Sequence, residues 1–418
     1  MTELRNVQMD LSRFRTRIFV VSVVVVLCFL LLAMRLVYLQ VWRHDDLRAQ
    51  AESNRTSIVP IVPNRGLILD RNGIVLASNY SAYTLEITPS KSGDIEQTIE
   101  ELSKFIDITA RDKRRFKKLV DESKSFESVP IRTRLTDTEV AQFSAQRFRF
   151  PGVEINARLF RSYPYGELAS HVIGYIGRIN RAEKERIDDS EDQANYRGTE
   201  YIGKLGVEQS FEAQLHGITG VERVETSAGG RAVRKLASTP STPGNVVVLS
   251  IDIKLQKLVE DMFGDRRGAL VALDPKTGEV LSFVSMPTFD SNLFVEGIDQ
   301  ENWQMLNESI NKPLLNRALR GTYPPGSTYK PFMALAALQT GTRSATTLIN
   351  DPGFYMFGGH RFGSPENERG GIMDMRRAIV ESSNPYFYSL ANEMGVDAMH
   401  DFMKPLGFGQ ITGIDING

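Results

Sequence analysis

An uncharged segment of seventeen residues, 18–34, limits the folds open to this chain more than any other feature of its sequence. The segment is rich in Val and Leu, and its continuation through Trp42 makes it long enough to cross about 30 Å of hydrocarbon. The alternative is a cleaved signal peptide, but no small-residue cleavage site follows, and Tyr38 and Trp42 suit a membrane interface. The sequence therefore predicts an uncleaved signal anchor over residues 18–40, preceded by a tail of residues 1–17.

The rest of the 418-residue chain has a composition typical of folded domains, with 41% hydrophobic and 24% charged residues overall. It is long enough to form two sizeable cores beyond the anchor. A net charge of −1 gives no reason to expect nucleic acid as a partner. The single cysteine, Cys28, lies inside the anchor, so no disulfide can form within the chain. A run rich in Gly, Ser, Thr and Pro, residues 226–245, predicts a domain junction near residue 240.

Residues 323–331 set a serine and a lysine three residues apart where a turn leads into an apolar helix. Two prolines and a glycine precede Ser327 and disfavour a helix before it, while serine is a preferred first residue of a helix. Pro331 is tolerated only in the first helical turn, and Gly341 is a possible C-terminal stop. The sequence therefore predicts a buried helix that begins near Ser327.

Ser327 and Lys330 have the spacing of a nucleophile and its base. Residues three apart share a helix face, so the hydroxyl and the amine can meet. An apolar helix implies burial, and burial favours the neutral amine, which can take the serine proton. Spacing alone is a weak signal, because Ser309 and Lys312 share it without a glycine turn or an apolar helix. The alternative for Ser327 is therefore an ordinary capped core helix.

A second polar motif, Ser382-Ser383-Asn384, separates two helical stretches, residues 374–381 and 386–394. A hydroxyl and an amide two residues apart on a short turn can point into one cleft. Ser382 can then relay a proton, and Asn384 can hold the lysine or a substrate carbonyl. The alternative is a polar connector between helices.

The order of these two motifs resembles that of the penicillin-interacting serine D,D-transpeptidases, whose third motif is Lys-Thr/Ser-Gly. A literal Lys276-Thr277-Gly278 occurs here, but it precedes the nucleophile and lies between two β-prone runs, so we expect a hairpin turn. In the family the third motif follows Ser-x-Asn at a considerable distance. Because the chain ends at Gly418, the resemblance implies a transpeptidase domain that is truncated in this chain, with residues 241–418 as its N-terminal part.

Further segments resemble class B penicillin-binding proteins. Similarity to signatures of their non-catalytic pedestal is carried by residues 64–73, 161–164, 171–177 and 206–212, and similarity to the elongation-type members by residues 287–298 and 350–353. The resemblance implies a membrane-anchored multidomain α+β protein. Its expected parts are a transmembrane helix, an extended β-rich pedestal of the dimerisation type (residues 41–240) and a transpeptidase domain with a serine β-lactamase-like α/β fold.

The resemblance implies a function for these residues. The expected activity is a peptidoglycan D,D-transpeptidase that cross-links stem peptides during cell elongation and rod-shape maintenance, and that β-lactams acylate. Ser327 would be the nucleophile, Lys330 the base, Ser382 the proton shuttle and Asn384 a positioning group, with no cofactor. The alternatives are a catalytically inactive structural or regulatory member of the wall-synthesis complex and a β-lactam sensor.

The resemblance also implies a location and partners. The chain would cross the inner membrane once, with residues 1–17 in the cytoplasm and the catalytic domain in the periplasm. The expected partners are a glycan polymerase of the shape, elongation, division and sporulation (SEDS) family and rod-shape scaffold proteins, besides stem peptides and β-lactams.

Two charged clusters have less specific interpretations. The basic run at residues 111–118 fits the solvated side of a helix, with a docking face for a partner or an anionic wall polymer as the alternative.

The five histidines show no metal-binding spacing, and we expect no metal. The weak candidate ligands are Asp351 and His360, together with Glu366 and Glu368 in the same glycine-rich loop.

Overall fold

A computed structural model describes residues 7–48, 56–122, 128–226, 232–363 and 370–417. Its first element is helix α1, Val7–Val37, which continues as a π-helical turn, Tyr38–Trp42. The helical segment Phe14–Trp42 is apolar and exposed along its length. It is long and apolar enough to cross a membrane, and it contains the segment predicted as the anchor.

The described residues between 56 and 252 form the first region of the fold. Its strands are β1 (Thr56–Ile61), β2 (Ile68–Leu69), β3 (Val75–Ile87), β4 (Val129–Leu135), β5 (Val153–Ser162), β6 (Ile176–Arg178), β7 (Tyr201–Gly203), β8 (Gly220–Thr226), β9 (Ala232–Thr239) and β10 (Val247–Val248). Its helices are α2 (Ile95–Leu102), α3 (Ala110–Glu122), α4 (Asp137–Gln146), α5 (Ser170–Ile173), α6 (Arg181–Asp188), α7 (Gly206–Ser210) and α8 (Glu212–His216).

A five-stranded sheet, ordered β10-β2-β3-β4 with β5 also paired to β3, organises this region. The long strand β3 pairs antiparallel with β5 from Ser78 to Ile87 and buries one side of the sheet against α2, α3 and α4. Strand β10 runs parallel to β2, so the chain beyond the predicted junction near residue 240 still belongs to the sheet of the first region. A separate sheet, β1-β8-β9, lies at the N-terminal end.

The basic run is helical, as predicted, and lies on α3 with Phe116 and Leu119 buried. Its charged side is not only solvated, because two of its arginines contact the second region. Arg111 donates to the carbonyl oxygen of Gly297 at 2.6 Å, and Arg115 pairs with Glu296 at 3.4 Å. The prediction of a solvated face is therefore wrong for part of this helix, since Arg111 and Arg115 contact the second region.

A buried ion network joins three distant segments of the first region, at Arg65, Arg161 and Glu208. The carboxylate of Glu208, fully buried on α7, accepts from Arg65 Nε at 2.6 Å and from Arg161 Nε at 2.7 Å. Tyr163 donates its hydroxyl proton to the same carboxylate at 3.2 Å and accepts from the backbone N–H of Ile176. Burial alone raises the pKa of Glu208, but the two arginines reverse the effect and lower the pKa below its ordinary value.

The second region covers residues 253–417. Its helices are α9 (Ile253–Phe263), α10 (Gln300–Glu308), α11 (Arg317–Arg320), α12 (Lys330–Thr340), α13 (Met375–Val380), α14 (Asn384–Met394) and α15 (Val396–Met403). Its strands are β11 (Gly268–Leu273), β12 (Val280–Met286), β13 (Ile349–Asp351), β14 (Phe354–Phe357), β15 (His360–Gly363) and β16 (Gly371–Met373). Strands β11 and β12 form the predicted antiparallel hairpin, and Gly278 in its exposed turn has φ +77°.

The two regions meet at a joint in which the side chain of Asn292 holds the backbone of Tyr163. Asn292 accepts from the N–H of Tyr163 at 3.0 Å and donates to the carbonyl oxygen of the same residue at 2.9 Å. Beside it, the ring of His171 meets the ring of Phe289 edge to face at 5.1 Å. Burial lowers the pKa of His171 to about 4, so this imidazole is neutral at pH 7. On the side of the second region, Phe289 and Asn292 lie within one of the segments that resemble elongation-type proteins, residues 287–298.

We predict that Glu208→Gln destabilises the first region by about 3–5 kcal/mol, because the fully buried Arg161 loses its carboxylate partner and Arg65 is left with Glu212. Thermal unfolding of the detergent-solubilised protein, followed by circular dichroism, measures the effect. The matched control is Glu185→Gln, which breaks the exposed pair of Arg181 and Glu185 and is expected to change stability by less than about 0.5 kcal/mol. Equal unfolding midpoints for the two variants would show that the buried contacts of Glu208 contribute no more to stability than an exposed ion pair does.

Candidate active site

Ser327 lies in a 3-10 turn, Gly326–Tyr329, that leads directly into helix α12. Gly326 has φ +57°, a left-handed conformation that favours glycine, although open space surrounds the position where a Cβ would be. Pro331 is in the first turn of α12 and Gly341 ends the helix with φ 71°, both as predicted. Ser327 differs from the expectation in one respect: it precedes the α-helix and no side-chain cap is formed.

Lys330 is the centre of the site. Its side chain is buried, with 8% of the residue exposed. The Nζ atom donates to Asn384 Oδ1 at 2.7 Å, to Ser382 Oγ at 3.0 Å and to the carbonyl oxygen of Ser382. The ring of Phe387 lies 5.7 Å from the same atom. These oxygens and the ring replace the water that burial removes from an ammonium group.

Ser382 connects Lys330 to Ser327. Its Oγ accepts from Lys330 and donates to Ser327 Oγ at 2.6 Å. The Ser327 side chain is exposed, so its oxygen faces solvent at the end of this series of hydrogen bonds. Ser382 has φ +56°, which is unusual for a residue other than glycine and is found mostly where surrounding contacts enforce it.

Helix α14 begins two residues earlier than its apolar pattern indicates. Asn384 is its first residue and Pro385 follows in the first turn, where proline is tolerated. Ser383 caps this helix by accepting from the N–H of Tyr386 at 3.1 Å. Helix α13 ends at Val380, so only three residues separate the two helices.

A buried arginine that the sequence analysis missed joins the far end of α12 to α14. Arg343 donates to Glu393 at 2.5 and 2.8 Å, to Ser389 Oγ at 2.8 Å and to the carbonyl oxygen of Tyr386 at 3.1 Å. Its guanidinium also lies 4.7 Å from the Tyr386 ring centroid. Because Lys330 begins α12 and Asn384 begins α14, this brace fixes the helices that carry both residues.

The structure brings all four predicted catalytic residues together. It does not bring the weak metal candidates Asp351 and His360 together with other possible ligands among the described residues. Asp351 is buried at the end of β13, and His360 is exposed on the hairpin of β14 and β15. Glu366 and Glu368 lie outside the described residues. In the part of the chain that the structure describes, no three His, Cys, Asp or Glu side chains are grouped as metal ligands.

Comparison with known proteins assigns both regions to families. Residues 60–249 match the penicillin-binding protein dimerisation domain, and residues 268–418 match the penicillin-binding protein transpeptidase domain. The chain therefore belongs to the penicillin-binding proteins that combine these two domains. Within this class, proteins named MrdA and PBP2 are among those similar to it, and the resemblance to elongation-type members is confirmed.

Curated relatives match nearly the whole of this chain. The peptidoglycan D,D-transpeptidase MrdA of Acinetobacter baumannii is 42% identical over 415 residues, which are 99% of this chain and 61% of the relative. MrdA of Escherichia coli K12 is 41% identical over 380 residues, 90% of this chain and 60% of the relative. The chain thus spans about three fifths of the length of these relatives.

Solved structures share the fold. PBP2 of Helicobacter pylori, solved in a complex with MreC, is 28% identical with a TM-score of 0.70, and the match covers 87% of this chain and 67% of that one. PBP2 of Pseudomonas aeruginosa, solved in a complex with WCK 5153, is 33% identical with a TM-score of 0.60, covering 87% and 59% of the two chains.

The left-handed conformation of Ser382 generates a stability prediction. Ser382→Ala and Ser382→Gly both remove the hydroxyl, but glycine adopts φ +56° without the clash of a Cβ. We expect Ser382→Gly to be more stable than Ser382→Ala by about 1 kcal/mol in thermal unfolding. Identical unfolding of the two variants would show that the conformation is not strained.

Proposed function

We propose that this chain carries the acylation site of a peptidoglycan D,D-transpeptidase of the elongation type, with Ser327 as its nucleophile. The observation that carries the proposal is the hydrogen-bonded series from buried Lys330 through Ser382 to the exposed Ser327 hydroxyl. A series of this kind gives a serine what it lacks as a nucleophile, which is a group that takes its proton as the new bond forms.

In the first half-reaction, Ser327 Oγ bonds to the penultimate D-alanine carbonyl carbon of a stem peptide, and the C–N bond to the terminal D-alanine breaks. With Lys330 as a neutral amine, the Ser327 proton passes to Ser382 Oγ while the Ser382 proton passes to Nζ. The hydrogen-bond direction between the hydroxyls can reverse because both rotate freely. The proton held by Nζ returns through Ser382 to the departing amine nitrogen.

The second half-reaction reverses these steps with a different amine. The amine of a neighbouring stem peptide loses a proton through Ser382 to Lys330 Nζ, and its nitrogen bonds to the acyl carbon. The bond between carbon and Ser327 Oγ then breaks as that oxygen takes the proton back through Ser382. Asn384 positions Lys330 through the contact at 2.7 Å. A β-lactam enters the first half-reaction only: its ring amide is opened, and the leaving nitrogen stays attached to the acyl group.

We also propose a location and partners. Helix Phe14–Trp42 supports a single span of the inner membrane, with residues 1–17 in the cytoplasm and the second region in the periplasm. The Helicobacter pylori PBP2 complex with MreC supports a rod-shape scaffold protein as a partner. A SEDS-family glycan polymerase is proposed from the family alone.

We predict that brief exposure of the full-length protein in membranes to penicillin adds a penicilloyl group to Ser327. The adduct is expected to be absent in Ser327→Ala and to form at least about 100-fold more slowly in Lys330→Ala, because acid-base assistance by a positioned side chain contributes about 100- to 10,000-fold. Peptide mass spectrometry identifies the modified residue and follows its rate of formation.

The chain supplies a matched control in Ser309 and Lys312, which have the same spacing but lie in a turn without the helix behind them, with Ser309 half-buried and Lys312 exposed. Ser309→Ala and Lys312→Ala are expected to leave the rate and the site of the adduct unchanged. A folded wild-type protein without any adduct would overturn the transpeptidase proposal, and would favour a structural member of the wall-synthesis complex.

A further inference from the structure

A buried carboxylate lies behind the turn that carries Ser382. Asp351, at the end of β13, is 3% exposed, and its two carboxylate oxygens have different partners. Oδ1 accepts from the N–H of Gly353 at 2.7 Å, and Oδ2 accepts from Ser383 Oγ at 2.5 Å. The first contact closes a local turn, whereas the second crosses 32 residues to the beginning of α14.

Ser383 occupies the position between the two proposed active-site residues of the turn. It is 1% exposed, and its hydroxyl both donates to Asp351 and accepts from the N–H of Tyr386. The hydroxyl donates its single proton to the carboxylate, and a lone pair on its oxygen accepts from the helix N–H. The Ser383 N–H in turn donates to the carbonyl oxygen of Ala378 on α13, at 2.9 Å.

These contacts hold a turn that is not favourable by itself. A serine at φ +56° costs free energy and persists only where the surrounding structure enforces it. Ser382 contacts Lys330 and the exposed Ser327 on the side of the turn that faces the site, while Ser383 and Asp351 fix the turn from the interior.

We propose that Asp351 is a positioning residue for acylation: through Ser383 it fixes the turn that holds Ser382 Oγ between Lys330 and Ser327. The inference rests on the proposed function and adds to it a residue outside the two catalytic motifs. The carboxylate is required because both of its oxygens are used. An asparagine has one acceptor oxygen and faces either Gly353 or Ser383 with an amide group that cannot accept.

The test compares Asp351→Asn, Ser383→Ala and the double variant in full-length protein in membranes, by the rate and the final extent of penicilloyl formation. We expect each single variant to acylate about 10- to 100-fold more slowly than wild type, because displacement by about 1 Å has effects of that size. Final labelling is expected to stay complete, since the protein remains folded. Loss of folded protein would instead reduce the final extent.

The double variant tests whether Asp351 acts through Ser383. We expect its rate to equal that of Ser383→Ala within about twofold, because residues that share one interaction are not additive. The matched control is Asp374→Asn, which changes the same residue type at the cap of the neighbouring helix α13, where the carboxylate accepts from the N–H of Arg377 in its own helix, and is expected to acylate at the wild-type rate. A wild-type rate in Asp351→Asn, or full additivity in the double variant, would overturn the inference.

Hydrogen exchange of the peptide that contains Tyr386 gives a readout that does not depend on activity. We expect exchange at this N-terminal turn of α14 to be at least about 10-fold faster in Asp351→Asn and unchanged in Asp374→Asn. If wild type forms no adduct, the proposed function fails while this measurement still decides the positioning role. Unchanged exchange in Asp351→Asn would overturn that role.

Discussion

The contact on which the rest of this structure depends is the fully buried carboxylate of Glu208 between two arginines. Arg65 and Arg161 belong to segments almost a hundred residues apart, and neither charge is tolerable in the interior without the other partners. The same carboxylate orients Tyr163, whose backbone is the one that Asn292 holds at the joint. The ion network therefore fixes the surface against which the second region is placed.

The second region repeats this arrangement on a smaller scale, with the sign of the central charge reversed. Lys330 is a buried amine that donates to oxygens of Ser382 and Asn384. These partners are a hydroxyl, a carbonyl and an amide oxygen, and they replace part of the water that burial removes from the amine. In both regions a buried charged side chain therefore determines how the chain segments around it are arranged.

Much of the site was predictable because its signals are local. Pro331 and Gly341 mark the two ends of one helix within eleven residues, and the β11–β12 hairpin follows from two apolar, β-prone runs on either side of a glycine turn. The 3-10 turn at Ser327 was not predicted, since it depends on the left-handed backbone conformation of the preceding residue, Gly326. The contacts of Asp351 with Ser383, and of Arg343 with α14, were missed because their partners are 32 to 50 residues away.

The left-handed conformation of Ser382 has an evolutionary consequence. Glycine and asparagine adopt φ near +56° more easily than serine does, so substitutions toward them are the inexpensive ones at this position. A lineage that no longer needed the hydroxyl would be expected to drift toward these residues and to become more stable as it lost activity. Under the proposed role of Ser382, the side chain at position 382 would then distinguish active from inactive relatives of this protein in genomes.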